Sequence, residues 1–293
     1  MSYSQQVRDE IFKNRYKDPA EWAAEAAAIC LCAGCEEEQG SIHVICPRED
    51  VAKRLAEDSK SSGAFSEEIS YERIGRRGGA VFTVHFPKEE FETFIEPYLS
   101  PDVLCEEISE NDALRRAMLR GAFAARGSMA DPNRQYRIEI LCKTDAYVKM
   151  LVLLMHAENI QPMTRVLDNT WAVYFKKHDE ICDFLVIMGA ANLMMELSNI
   201  RARHDVNKMV TRSMNLDNWT MQQQAEASAR RTRQIMELLS SEKAATVPKE
   251  LMEVARVHIE NPGLSLTELG KLMDPPISKS GMNHRLKKLL DLL

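Results

Sequence analysis

The sequence has 293 residues, 45% hydrophobic and 28% charged, which is the balance of a folded globular protein of two ordinary domains and excludes a disordered chain. No apolar stretch approaches the roughly 20 residues of a membrane-spanning helix, and the polar N-terminal segment lacks the apolar core of a signal peptide, so we expect a cytoplasmic protein. The net charge of −6 excludes a protein that coats nucleic acid with its whole surface.

Residues 1–105 are predicted to form an N-terminal helix and the first of two repeats. A helix rich in small residues ends at Gly34, and the alternating strand SIHVIC and a helix from about Arg48 to Ser61 follow it. A hairpin with arms FSEEISYERI and AVFTVHF comes next, and its glycine-rich segment 75–79 suits a tight turn. A short helix is expected from Glu89.

The first repeat also contains a cysteine cluster. Cys30, Cys32 and Cys35 lie close together, and His43 and Cys46 follow downstream. No second pair of closely spaced ligands matches them, and Cys30 and Cys32 fall on different faces of a helix. The odd total of seven cysteines includes Cys105, Cys142 and Cys182 and indicates free thiols. We therefore expect no metal and no cofactor.

Residues 106–190 are predicted to repeat the same order of elements. A second small-residue helix ends at Gly127, 93 residues after Gly34. The strand QYRIEILC, the helix DAYVKMLVLLMHAEN, a hairpin with arms QPMTRVL and WAVYFKK around Asp168-Asn169, and a helix near Asp179 follow. Two copies of helix–strand–helix–hairpin–helix predict one α+β domain. Small residues on both helices would let the two backbones approach closely: Ala26, Ala27, Ala28, Gly121, Ala124 and Ala125.

Residues 191–245 are predicted to form a helical linker, because polar residues dominate and the apolar stripe is thin. The balance of charge changes near its start. Residues 1–199 hold 23 Lys and Arg against 33 Asp and Glu, whereas residues 200–293 hold 15 against 11, so the net charge goes from −10 to +4. The basic side chains of the linker are candidates for additional phosphate contacts: Arg201, Arg203, Lys208, Arg230, Arg231 and Arg233.

Residues 246–293 are predicted to form a C-terminal domain of three helices. The first helix lies between Pro248 and Pro262, and Ser265 and Glu268 have the spacing of a capping box at the start of the second. Gly270 is expected to permit the close crossing that a helix-turn-helix needs. The second helix is predicted to place three leucines on one face: Leu266, Leu269 and Leu272.

The third helix is predicted to separate an apolar face from a basic one. Met282, Leu286 and Leu289 recur at helical spacing and are expected to face the core. Between Ile277 and Leu290 there is no acid. The remaining positions hold residue types that contact base edges and phosphates: Lys279, Ser280, Asn283, His284, Arg285, Lys287 and Lys288. We therefore predict that this helix binds double-stranded DNA.

The paired small-residue helices, each followed by a strand, resemble those of the LAGLIDADG homing endonucleases. The nine-residue motif aligns with AAAICLCAG (Ala26–Gly34) in the first copy and with LRGAFAARG (Leu119–Gly127) in the second. In that family an acid precedes the final glycine and holds the catalytic metal ions. Here these positions are Ala33 and Arg126, so the resemblance implies two degenerate repeats without nuclease activity.

Three stretches resemble the WhiA family: RGAFAARGSMADPNRQYRIEI, IMGAANLMMELSNIRARHDVNKMV and the C-terminal ISKSGMNHRLKKL. The resemblance covers essentially the whole chain. It implies two degenerate LAGLIDADG repeats followed by an all-α, sigma-region-4-like helix-turn-helix domain. It also implies a nucleoid-associated transcriptional regulator of cell division, of chromosome segregation and, in spore-forming bacteria, of sporulation.

Two other functions fit parts of the sequence. Glu36, Glu37, Glu38 and Asp131 follow the two motif glycines and would be the ligands of a cryptic metal-dependent nuclease, although we expect them in turns that need not face each other. The acidic repeat domain would alternatively bind a protein of the division or transcription machinery, with the C-terminal domain tethering the complex to DNA. We expect no membrane partner and no small-molecule substrate.

Overall fold

The computed structural model describes residues 1–14, 16, 18–38, 40–66, 69–76, 79–100, 107–168 and 170–293. Contacts group them into two units, Met1–Arg203 and His204–Leu293. Among the described residues, no helix combines the length and the apolar character that a membrane span requires. Cys105, the predicted boundary at residues 105–106 and the turn residues Arg77, Gly78 and Asn169 lie outside the described residues.

The first unit contains both predicted repeats. It begins with α1 (Tyr3–Ile11). The first repeat has α2 (Pro19–Ala33), β1 (Cys35–Glu38), β2 (Ser41–Cys46), α3 (Glu49–Ser61), β3 (Tyr71–Arg76), β4 (Gly79–Pro87), α4 (Lys88–Phe94) and a 3₁₀ turn at Glu96–Tyr98. The second has α5 (Glu107–Glu110), α6 (Asp112–Arg126), β5 (Gly127–Met129), β6 (Ile138–Cys142), α7 (Asp145–Ala157), β7 (Met163–Leu167), β8 (Thr170–Phe175) and α8 (His178–Met188).

Each repeat forms a four-stranded antiparallel sheet with the same topology. The strand orders are β1-β2-β4-β3 and β5-β6-β8-β7. In β2 the residues Ile42, Val44 and Cys46 are buried and alternate with partly exposed ones, so one face of the sheet covers the core. This equivalence confirms the repeat that was predicted from the order of elements.

The edge strand β1 was not predicted from the sequence. The expectation that Glu36–Glu38 lie in a turn is wrong, because these residues pair with Ser41–His43 of β2. A strand of three consecutive glutamates has no hydrophobic alternation. It forms at the exposed edge of a sheet, where the neighbouring strand supplies the backbone hydrogen bonds and the carboxylates stay in water.

The small-residue helices α2 and α6 form the centre of the first unit. All the alanines predicted for their contact are buried. At Gly121 of α6, a Cβ atom would lie 2.3 Å from the carbonyl oxygen of Glu25 and 2.9 Å from the Cβ of Ala28. Only a residue without a side chain permits this approach of two helices, which confirms the predicted close packing.

A buried ion-pair network spans the same two helices. The Glu25 carboxylate accepts hydrogen bonds from Arg54 Nε of α3 at 2.8 Å and from Arg120 Nε of α6 at 3.1 Å. Burial alone would raise the pKa of Glu25, but the charges and hydrogen bonds of the two guanidinium groups outweigh it and hold that pKa below its usual value. Arg54 also donates to the backbone oxygen of Phe12 and lies over the ring of Tyr16.

A long helix, α9 (Ala191–Leu239), begins in the first unit and continues in the second. Glu10 of α1 accepts hydrogen bonds from the backbone amides of Asn192 at 2.7 Å and Leu193 at 3.1 Å. A carboxylate placed there satisfies two amides of the first turn, which have no partner inside the helix. Residues 182 positions apart in the chain are thereby joined at the start of α9.

The second unit combines the C-terminal part of α9 with three short helices. These are α10 (Lys249–Glu260), α11 (Leu266–Lys271) and α12 (Lys279–Leu290), with a 3₁₀ turn at Glu242–Thr246. Ile235 and Leu238 of α9 are buried in one cluster with Val254, Leu269 and Leu286. The end of the predicted linker therefore contributes to the core of the C-terminal unit.

Candidate nucleic-acid interface

The helix α12 is amphipathic in the way the sequence predicts. The side chain of Ser278 caps its first turn by accepting a hydrogen bond from the backbone amide of Gly281 at 3.2 Å. Met282, Leu286 and Leu289 are fully or almost fully buried, which confirms the predicted core face. Six of the seven predicted contact residues are exposed, and the seventh, Arg285, is partly exposed.

The preceding helix α11 sets the position of α12. The capping box is present, because the Ser265 amide donates to Glu268 Oε2 at 2.9 Å and the Glu268 amide donates to Ser265 Oγ at 3.3 Å. The hydrogen bonds from Ser265 hold the pKa of Glu268 below its usual value. A Cβ atom at Gly270 would lie 2.4 Å from the Ile277 carbonyl oxygen, so this position needs glycine for the close crossing, as predicted.

Of the three leucines predicted to lie on one face of the second helix, one faces solvent. Leu269 is fully buried and Leu266 is partly buried, but Leu272 is 52% exposed. The helix ends at Lys271, and the chain then turns so that Met273, which is 3% exposed, enters the core instead. The helical spacing therefore predicted the wrong face for Leu272, because the helix ends at Lys271, one residue before it.

Behind the helix-turn-helix, His258 of α10 is fully buried. Burial lowers the pKa of its imidazole, the polar backbone of Ser228 opposes this, and the nearby Arg231 charge lowers the pKa further. The unfolded chain therefore binds a proton near pH 6.5 that the folded unit accepts only at lower pH. The stability that depends on neutral His258 is present above that value and is lost as the pH falls.

We expect acidification to destabilise the second unit through His258. Below its unfolded pKa, the free energy of unfolding should fall by at most about 1.4 kcal/mol for each pH unit. Thermal unfolding between about pH 7.5 and 5.5 would measure this in the wild type and in His258→Gln, whose side chain does not titrate in this range. The pH dependence should be smaller in His258→Gln and unchanged in the exposed control His284→Gln. Equal slopes in all three proteins would contradict the assignment.

The predicted phosphate contacts of the linker fall into different surroundings. Arg201 belongs to the first unit and donates to Asp179 Oδ1 at 2.6 Å, and Arg203 belongs to the same unit. Lys208 of the second unit lies 3.9 Å from Asp205. Arg230 and Arg233 are exposed. Only Arg231 shares a groove with a predicted contact of α12, Lys279. The same groove contains Trp219, which the sequence analysis missed.

In the repeat domain, basic groups lie where the resemblance places the metal-binding acids. Ala33 is the last residue of α2 and offers only its carbonyl oxygen, which accepts a hydrogen bond from Lys143 Nζ at 2.5 Å. Arg126 is the last residue of α6. The nearby glutamates have other contacts: Glu37 binds Lys88 at 2.6 Å and Glu38 lies 3.6 Å from His43.

The cysteine cluster lies beside this position. Cys30, Cys32 and Cys46 are buried, and Cys35 is exposed at the start of β1. A hydrogen bond with Cys30 lowers the pKa of the Cys35 thiol to about 7, against the opposing effect of desolvation. Within the described ranges, no group of three or more His, Cys, Asp or Glu side chains has an arrangement that could hold a metal ion.

Two domain families match the chain. Residues 115–207 match the model of the WhiA LAGLIDADG-like domain, and residues 210–293 match that of the WhiA C-terminal HTH domain. The chain belongs to the WhiA family. Its fold class is therefore α+β repeats of the LAGLIDADG type followed by a helix-turn-helix, as the resemblance implied.

Relatives with curated names and solved structures agree with this family. A WhiA from Natranaerobius thermophilus is 34% identical over 62% of this chain and 57% of its own length. One from Clostridium botulinum is 28% identical over 99% of this chain and 96% of its own. Both carry the name "Probable cell division protein WhiA".

The full-length WhiA structure from Thermotoga maritima matches with a TM-score of 0.63 and 23% identity, over 100% of this chain and 98% of that one. A structure of the N-terminal LAGLIDADG domain of WhiA matches with a TM-score of 0.52 and 22% identity, over 64% of this chain and 92% of that one. These two likenesses show the fold.

Proposed function

We propose that the chain is a non-enzymatic regulator that binds double-stranded DNA through α12. The observation that carries the proposal is the division of this helix into two faces. Met282, Leu286 and Leu289 are buried, whereas its polar and basic side chains are exposed or partly exposed, without an acid among residues 279–290. A helix-turn-helix places such a face in the major groove, where Asn283 and Ser280 would contact base edges and the lysines would contact phosphates.

The family supports a role in the bacterial cell cycle. Because the curated relatives are named as cell division proteins, we infer that this chain regulates transcription for cell division and chromosome segregation, and sporulation where the organism forms spores. The protein would then be cytoplasmic and associated with the nucleoid. The division into repeats (1–105 and 106–190), linker (191–245) and DNA-binding domain (246–293) is part of this proposal.

The absence of nuclease activity is also proposed. Two-metal hydrolysis needs carboxylates that face each other at the base of the helix pair. Ala33 has no ligand atom in its side chain, and Arg126 and Lys143 add positive charge that repels a metal cation. The acidic balance of residues 1–199 favours a second role for this unit as a surface for a protein of the division or transcription machinery.

Replacing Asn283 and Lys287 with alanine tests the DNA-binding face. We expect each change to weaken binding to a genomic target fragment by about 1–3 kcal/mol, because Asn283 loses a base contact and Lys287 loses a phosphate contact. Lys287→Ala should also reduce the salt dependence by about one counterion. The measurement is a binding titration at several salt concentrations, with the exposed Lys149→Ala as the control. Unchanged affinity and unchanged salt slope would contradict the proposal.

A further inference from the structure

A groove of about 330 Å³ lies within the second unit, between α9 and the N-terminal ends of α11 and α12. Its walls include Trp219 and Arg231 from α9, Thr267 from α11 and Lys279 from α12. Lys279 is the first residue of the helix proposed to enter the major groove. The groove therefore lies directly beside the predicted DNA-binding face and continues it onto the long helix.

The charges of this groove favour an anionic occupant. Among the described residues that line it, both charged side chains, Arg231 and Lys279, are cations, and none is an acid. A second groove of the same unit, about 480 Å³ in volume, has two cations and two acids: Lys249, Arg256, Glu253 and Glu260. Because opposite charges offset each other in that second groove, the groove at Lys279 is the more favourable of the two for a polyanion.

The exposed indole of Trp219 is the second feature of the groove. Trp22 is fully buried and Trp171 is partly buried, whereas Trp219 is 60% exposed. An indole offers a flat apolar face together with one N–H donor. That combination suits a surface that is apolar at its sugars and anionic at its phosphates, which is the surface of a DNA strand.

We propose that this groove holds the sugar–phosphate backbone of double-stranded DNA beside α12. Arg231 and Lys279 bind phosphate oxygens on its two walls, and Trp219 packs against a deoxyribose between them. The inference rests on the proposed function, since α12 has to bring the duplex to the groove. The inference adds α9 to the elements that contact DNA. Its role there is to position the protein, because contacts to the DNA backbone fix the orientation of a protein on the duplex without reading the base sequence.

A mixed-sequence duplex of about three helical turns is a sufficient probe, because a backbone contact does not need the specific target. We expect Arg231→Ala in the full chain to weaken binding about fivefold at low salt and to reduce the salt slope by about one. Trp219→Ala should weaken binding about fivefold with an unchanged slope, since it removes contact area and no charge. Trp219→Phe should restore part of the affinity. The duplex should also protect Trp219 from acrylamide quenching.

Arg256→Ala is the matched control, because it removes an arginine from the other groove of the same unit. Circular dichroism checks that each variant is folded. If Trp219→Ala and Arg231→Ala bind as tightly as Arg256→Ala does, while Lys287→Ala still binds weakly, the groove assignment is wrong and the proposed function stands. If the wild type itself does not bind the duplex, the proposed function fails. Single-stranded DNA is the second probe. If Trp219→Ala and Arg231→Ala bind single-stranded DNA more weakly but bind the duplex as the wild type does, the proposal of a duplex site is also wrong.

Discussion

Replacing Glu25 with alanine is expected to lower the free energy of unfolding of the first unit by about 3–5 kcal/mol. The side chain of Glu25 is 1% exposed, and that of its partner Arg54 is 5% exposed. Arg54 would keep its charge in a buried site, because a guanidinium group is not deprotonated in proteins and Asp58 remains 3.4 Å away. The cost is therefore mainly that of a guanidinium group left without its closest anion.

Denaturant unfolding followed by the fluorescence of Trp22 and Trp171, both in the first unit, measures this effect, with Trp219→Phe in the background so that the exposed indole does not contribute. The control is Glu57→Ala, which breaks an exposed pair with Lys53 at 3.7 Å and should cost less than about 0.5 kcal/mol. Glu25→Gln separates the loss of charge from the loss of side-chain volume, since it removes the charge and keeps the volume. A loss in Glu25→Ala no larger than that of the control would show that the network contributes nothing.

Gly121→Ala is expected to destabilise the first unit by about 3 kcal/mol, although helix propensity alone predicts a gain of about 1 kcal/mol. The expected change in the free energy of unfolding therefore has the opposite sign to the change that helix propensity predicts, which makes this variant a clear test of the helix contact. The new methyl group would meet the Glu25 carbonyl oxygen at 2.3 Å, and a backbone atom cannot rotate away as a side chain can. The two helices would have to separate, which loosens the packing of α2 against α6.

The matched control for this variant is Gly75→Ala on β3, where a Cβ atom would have no neighbour within 4 Å. That change should alter the free energy of unfolding by less than about 0.5 kcal/mol. The same denaturant titration measures both variants. A stabilised Gly121→Ala protein would mean that the helices are not in contact at this position.

The sequence was sufficient for the features that depend on local chemistry. The capping box at Ser265 and the close crossing at Gly270 follow from residue types at fixed spacing. The contact of α2 with α6 was also predictable, because small residues on both helices have no other common explanation once the repeat is recognised. The buried face of α12 needed only the helical period of Met282, Leu286 and Leu289.

Features that depend on tertiary partners were not predictable in this way. β1 exists because β2 pairs with it, and three glutamates in succession give no signal for a strand. Leu272 is exposed because of where α11 ends. The groove beside α12 brings together Trp219 and Lys279, which are 60 positions apart in the sequence. The one available signal for it was that Trp219 is the single tryptophan of the segment 191–245.

The contacts around α1 have a consequence for the order in which the chain is able to fold. Among the described residues, the Glu10 carboxylate accepts hydrogen bonds from the amides of Asn192 and Leu193, and Arg8 donates to the carbonyl oxygen of Gly127 at 3.1 Å. During synthesis, which proceeds at about 5–20 residues per second, the N-terminal helix therefore emerges many seconds before its partners exist. Until α6 has also been synthesised, the alanine-rich face of α2 has no helix to cover it, so the nascent first repeat exposes an apolar surface that the complete unit buries.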